Sequence, residues 1–260
     1  MSLSKNELKK IRSLENKKSR NEQGRFVVEG VRLVSEAMTS DFEILEVLHT
    51  ADFAKEPAGS MLLRELRGRV ACVHQISIRE MGMISDTVTS QGLVAVIKQN
   101  RFTADQILEK DGIQSIVVAF DGISDPGNVG TMVRTCDWFG VDGILLGQNS
   151  VELYNPKVLR ATMGGVFHIP IADDVDLLPT VTRAKELGYQ AYVTDQHGET
   201  HFDRVKYSNK SLLIFGNEAW GASDQLKQLA DARVCIRRYG AGAGWPSAPS
   251  SSTDASKCAR

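Results

Sequence analysis

The sequence predicts an α/β protein, with a small N-terminal α/β sandwich followed by a C-terminal domain built on a parallel sheet. Three observations carry this. Short apolar runs alternate with segments of helical spacing along most of the chain. Turn-forming glycines follow several of those runs. At 260 residues and 42% hydrophobic, the chain can bury one large core or two modest ones.

Within residues 1–98, positions 5–16 and 31–38 have helical spacing, whereas 26–29, 44–49, 70–73 and 93–97 read as strands with short helices between them. Residues 99–112 read as a polar link carrying a short helix. From 113 to 238 the pattern is more regular. Strands are expected at 116–120, 143–146, 167–169, 190–194, 212–215 and 233–236, and helices at 177–187 and 224–229. Strand–helix alternation of this kind gives a parallel sheet covered on both faces. Residues 239–260 are rich in Gly, Ala, Ser and Pro without apolar period, which predicts a disordered tail.

Composition excludes several classes. Cys72, Cys136, Cys235 and Cys258 show no metal-ligand spacing, so neither zinc nor a disulfide framework is expected, and reduced cytoplasmic thiols fit. No apolar run reaches membrane-span length. Net charge is −1, yet residues 1–32 hold nine Lys or Arg against four Glu, an arm suited either to solvent or to a phosphate backbone.

The most informative stretch is 121–147. An apolar strand enters a Pro-Gly turn and then a helix that Asn128 is expected to cap. Val129, Met132, Val133 and Cys136 form the buried stripe of that helix. Arg134 points about 150° away from it, toward the carboxyl edge of the sheet where open α/β folds bind ligands. Three glycine loops (125–130, 163–165 and 215–221) are expected at strand ends, where backbone can approach a ligand closely. The phosphate and dinucleotide fingerprints GxxxxGK[ST] and GxGxxG are absent, and so is the hydrolase GxSxG. His168 is expected in a strand with a structural role.

Asn-Val-Gly-Thr-Met-Val-Arg-Thr-Cys (128–136) resembles the first signature of the SpoU/TrmH branch of the SPOUT superfamily, and 214–221 resembles the second. Residues 156–165 are similar to the segment between them. The N-terminal section resembles the RNA substrate-binding domain fused to many of these enzymes, on Arg20, Gly24, Phe26, Glu29, Gly30 and residues 85–96.

The resemblance implies an S-adenosylmethionine-dependent RNA ribose 2′-O-methyltransferase, with rRNA favoured over tRNA. It also implies a homodimer and a C-terminal trefoil knot. Asn128, Arg134 and Glu218 would be catalytic and would converge on one hollow. Arg134 would fix a phosphate and stabilise developing alkoxide rather than act as a base. Thr194, Gly216, Asn217, Gly221 and Ile236 would hold the methyl donor. Arg20 and Arg25, with Arg160, would contact RNA, while Phe26 is read as a core residue.

The third signature, a Ser-Leu-Asn core after Ile236, is missing, and Arg237 stands where the family has Pro. A reading-frame change near Tyr239 or a divergent tail explains this. The departure implies weak or no S-adenosylmethionine binding by this chain. It also supports a second reading, a non-catalytic RNA-binding protein that keeps the fold.

Overall fold

The computed structural model describes residues 3–87, 89–110 and 112–236. The tail, and with it the expected knot, lies outside the described residues.

The N-terminal part comprises α1 (Lys5–Ser13), α2 (Lys17–Gln23), β1 (Arg25–Glu29), α3 (Val31–Met38), β2 (Ile44–Thr50), α4 (Ala51–Lys55), α5 (Pro57–Arg69), β3 (Cys72–Ile76), α6 (Ile78–Ile84) and β4 (Leu93–Lys98). Its sheet has the order β1-β4-β2-β3, with β4 antiparallel to both neighbours and β2 parallel to β3. A Ser4–Glu7 capping box starts α1 by satisfying otherwise orphaned amides. The helix expected over 5–16 ends at Ser13 and a second begins at Lys17, with the turn between them directing the Leu14 and Glu15 carbonyls at Arg20 Nη1, each at 2.7 Å. The strand expected at 70–73 starts later, since the Val70 amide still closes α5 onto the Leu66 carbonyl.

After α7 (Ala104–Leu108), the C-terminal part runs through β5 (Ser115–Asp121), α8 (Pro126–Trp138), β6 (Gly143–Gly147), α9 (Pro156–Thr162), β7 (Ile171–Val175), α10 (Leu177–Glu186), β8 (Gln190–Thr194), β9 (Thr200–His201), β10 (Lys210–Gly216), α11 (Asp224–Leu229) and β11 (Ala232–Cys235). Its seven strands are parallel throughout, in the order β7-β6-β5-β10-β8-β11-β9. Alternation along β5 shows both faces covered: Val118 and Phe120 enter one core, and Val117 and Ala119 the other. The strand expected at 167–169 is instead a 3-10 turn over Gly165–Phe167, with the strand at Ile171–Val175. Phe167 turns inward toward the N-terminal part rather than along the sheet. His168 follows this turn outside any strand, with Nδ1 3.0 Å from Asp137 and Nε2 3.3 Å from Glu36.

The two sheets share one core. Phe26, Val28, Leu93, Ala95 and Ile97 of the first cluster with Val118, Phe120, Val129, Val158 and Phe167 of the second. The Phe26 ring, buried as expected, lies 4.4 Å from that of Tyr154, and Phe42 meets Phe167 edge-on at 5.1 Å. Burying each such side chain stabilises the junction by about 1.5–3 kcal/mol. Arg20 reinforces it. Only 3% exposed, it donates from Nε to Glu152 Oε1 at 3.0 Å, and its Nη2 meets the other carboxylate oxygen. Every face of the guanidinium fork is therefore used within the protein.

Removing one partner of a buried ion pair strands the other charge. Arg20→Ala is expected to destabilise the protein by about 3–5 kcal/mol in chemical denaturation. The Arg20→Met/Glu152→Met double variant should recover most of that loss. Equal stability of Arg20→Ala and wild type would show that the pair does not fasten the junction.

Candidate active site

The site begins at the register between β5 and β10. Phe215 pairs with Phe120 and Gly216 with Asp121, so the two strands end side by side. Beyond β10, residues 217–221 form a closed turn. The Asn217 amide donates to the Gly221 carbonyl at 3.0 Å, and the Gly221 amide returns to the Asn217 carbonyl at 2.8 Å. Asn217 Oδ1 accepts from the Ala219 amide at 2.8 Å, while its Nδ2 donates 2.7 Å to the Gly122 carbonyl, tying the turn to the end of β5. Gly216 has no alternative here: a Cβ would lie 1.9 Å from the Ala222 nitrogen. Gly221 has φ +73°, a conformation glycine adopts without steric cost.

Helix α8 begins after the same β5. Asp125, rather than Asn128, is its cap, and Asp125 Oδ1 accepts from the Asn128 amide at 2.8 Å with Pro126 in the first turn. Relieved of capping, the Asn128 side chain turns across to the second loop, where Nδ2 donates to Glu218 Oε1 at 2.7 Å. A carboxylate accepts only, so the amide nitrogen must face Glu218. Asn128 Oδ1 is consequently left as an acceptor at an exposed position. Asn128 and Glu218 are thus brought together, as the resemblance implies.

Arg134 is not brought to this pair. Six residues along the helix, it lies about 9 Å further along the axis and roughly 120° around it. It is exposed and makes no hydrogen bond or ion pair among the described residues. The three-way convergence expected from the sequence is therefore a two-way contact with a free guanidinium nearby on the same helix.

The glycine loops also sort differently from expectation. The start of the 125–130 loop and the 215–221 loop lie at the carboxyl edge, whereas the other glycines serve packing. Gly130 is inside α8, where a Cβ would lie 2.3 Å from that of Ala161, so it permits close packing of α8 on α9. Gly164, at φ +109°, is pressed against Glu36 of α3, and Gly165 against Arg134 and Asp137, so this segment belongs to the junction between the two parts. Cys136 faces the core, and burial pushes its thiol up to about 12, which removes it as a nucleophile.

Thr194 and Gly216 end β8 and β10, and Ile236 follows β11 with its side chain exposed. The Thr194 hydroxyl donates to the Ile214 carbonyl at 3.2 Å, leaving main chain as the lining of this edge. Of the residues expected to contact RNA, Arg20 is corrected: its burial against Glu152 makes it a fastener and denies it to a ligand. Arg25 is half-buried, with Nη1 3.3 Å from Glu46, and Arg160 lies 2.5 Å from Asp86. Among the described residues no group of three or more His, Cys, Asp or Glu could hold a metal, and no helix is long and apolar enough to cross a membrane. The sequence reading missed Asp125 and Gly122; an Asp immediately before Pro is the signal that would have revealed the cap.

The SpoU rRNA Methylase family matches residues 115–243, and the MRM3-like substrate binding domain matches residues 5–95. The 23S rRNA (guanosine(2553)-2'-O)-methyltransferase RlmP of Bacillus subtilis is 30% identical over 233 residues, covering 90% of this chain and 88% of that protein. The 23S rRNA (uridine(2479)-2'-O)-methyltransferase of Streptomyces viridochromogenes is 25% identical, covering 87% and 79%. The crystal structure of AdoMet-bound rRNA methyltransferase from Sinorhizobium meliloti superimposes with a TM-score of 0.79 at 28% identity, covering 93% of this chain and 89% of that one. With two ordered signatures, an accessory domain and near full-length likeness, the chain belongs to the SpoU rRNA methylase family.

Proposed function

We propose that the protein methylates a ribose 2′-hydroxyl of ribosomal RNA, with S-adenosylmethionine as donor, at the carboxyl edge marked by Asn128 and Glu218. The observation that carries this is the 2.7 Å contact between those two side chains, contributed by the family's two signatures. Family membership and the 23S rRNA relatives supply the reaction class and the donor.

The edge fits such a donor. Gly216 admits no side chain, Gly122 and Gly221 turn with positive φ, and the exposed Ile236 offers apolar surface. Main chain around Thr194, Gly216, Asn217, Gly221 and Ile236 would hold it. When bound, the donor supplies an electrophilic methyl group on a sulfonium. The protein's own part is alignment. Asn128 Oδ1 can accept from the ribose hydroxyl, and Glu218 fixes the amide so that this oxygen points one way. The exposed Arg134 guanidinium can hold the adjacent phosphate and steady negative charge as the hydroxyl proton passes to water. The non-catalytic alternative is not favoured, since the relatives are 23S rRNA 2′-O-methyltransferases.

For RNA contact, α1 is better placed than Arg20. Leu8 and Ile11 face the core, while Lys5, Lys9 and Arg12 follow one another at spacings of four and three along one exposed flank. None of these three forms an ion pair among the described residues. Arg25 and Arg160 stay within reach of solvent and complete the proposed RNA-facing set. Self-association is proposed on the family resemblance and on the C-terminal end of α8, where Trp138 is 85% and Phe139 75% exposed.

Three measurements test these readings. In transfer of labelled methyl groups to deproteinised ribosomal RNA, Asn128→Ala should lower the rate about 100-fold through loss of alignment. Glu218→Gln, which keeps an acceptor but not the charge, should cost about tenfold. Full activity in both variants would remove the pair from the reaction. Replacing Lys5, Lys9 and Arg12 by Gln should reduce the slope of log affinity against log salt by about 2 on single-stranded RNA, and an unchanged slope would clear α1 of phosphate contact. Sedimentation should show a dimer that Trp138→Ser/Phe139→Ser dissociates; a monomeric wild type would overturn that assignment.

A further inference from the structure

Trp220 is 82% exposed, yet it sits on a turn closed by paired backbone hydrogen bonds between Asn217 and Gly221. Asn217 Oδ1, which already accepts from Ala219, also lies 3.4 Å from the Trp220 amide. Asn217 Nδ2 anchors the turn to Gly122, and the Ser223 amide beyond it donates 2.8 Å to Asp121 Oδ2. The backbone beneath the indole is therefore bound to the end of β5 at two points. Apolar exposure on a loose loop would need no explanation. Here the large ring is held out by a preorganised turn, two residues from Glu218 and so within one nucleotide's reach of the Asn128–Glu218 contact.

We propose that Trp220 is the stacking platform for a nucleobase of the RNA substrate, at or next to the nucleotide whose ribose is methylated. The inference rests on the reading that Asn128 and Glu218 mark that ribose. Its physical basis is general. Enzymes that read unpaired RNA splay bases onto aromatic faces, and every base offers a π-face regardless of sequence. An indole held by a fixed turn loses little conformational freedom when a base lands on it, so more of the stacking energy appears as affinity. Trp220 would then set how firmly the target nucleotide is seated, and Asn128 how its hydroxyl is aimed. The other exposed aromatic pair, Trp138 and Phe139, lies at the far end of α8, about 15 Å along the axis from Asn128, and does not serve this site.

The test uses the full chain and a mixed-sequence single-stranded RNA oligonucleotide, with affinity measured by fluorescence anisotropy of labelled RNA. Trp220→Ala is expected to weaken binding about 5- to 150-fold, the range seen when a stacking aromatic is truncated. Trp220→Phe should keep most of the affinity, and Trp220→Leu, of similar apolar character without a π-face, should behave like Ala. RNA should quench tryptophan emission in wild type and lose most of that quenching in Trp220→Phe. The two readings fail separately: the methyl-transfer reading fails if Asn128→Ala methylates normally, whatever Trp220 does. Unchanged affinity in Trp220→Ala overturns the proposal. So does a Trp220→Ala variant whose sedimentation changes while its RNA affinity does not, because the indole would then be covered by a second copy of the chain.

Discussion

The parallel pairing of β5 with β10 is the constraint on which the rest depends. It joins two strands that lie far apart in the chain and ends them together, so that Asp121 and Gly216 are neighbours. Each strand then releases a polar turn into the same space. One becomes the first turn of α8 and delivers Asn128; the other closes on itself through Asn217 and delivers Glu218. These two residues are 90 positions apart in sequence and 2.7 Å apart in space. Shifting that register by one residue would invert the faces of β10 and take Ile214 out of its core. The apolar interior and the polar contact at its rim are thus specified by the same pairing.

The second constraint is the shared core between the two sheets. A flexible link between an RNA-gripping part and a reacting part would leave their separation to chance. Here Phe26, Tyr154 and Phe167 fill the junction, Gly164 is pressed against Glu36, and Arg20 bridges to Glu152 while collecting the Leu14 and Glu15 carbonyls. The same guanidinium therefore fixes the end of α1 to the other half of the molecule. The apolar seam supplies most of the attraction, because buried ion pairs return little net energy after desolvation. Arg20 contributes direction, since its planar fork satisfies four acceptors in only one arrangement.

How much of this was legible in the sequence varies by the physics involved. Strand–helix alternation gave the parallel sheet because buried strands and amphipathic helices leave periodic apolar traces. The ligand edge was legible at 215–221, where Gly follows a strand directly. It was not legible at Gly130 or Gly164, whose glycines answer to close helix packing and to the junction, and a glycine does not declare which neighbour it is making room for. Asn at 128 suits a cap, but Asp125 takes that place by standing before Pro126, where the first turn begins. Arg20 misled for a related reason. A basic residue in a basic arm looks solvent-bound, and its carboxylate partner stands 132 residues away. Long-range satisfaction of a charge leaves no local trace.

The position of Arg134 draws these strands together. Its helix face was readable from periodicity, and it is exposed as that periodicity implies, yet one chain alone leaves it about 9 Å along the axis from Asn128. A guanidinium need not touch the amide it works beside. On the proposed reading one side chain aims the hydroxyl and another holds the adjacent phosphate, and a long guanidinium side chain can serve the second without touching the first. The free guanidinium is then an available anion contact beside the ribose site, on the same helix that carries Asn128.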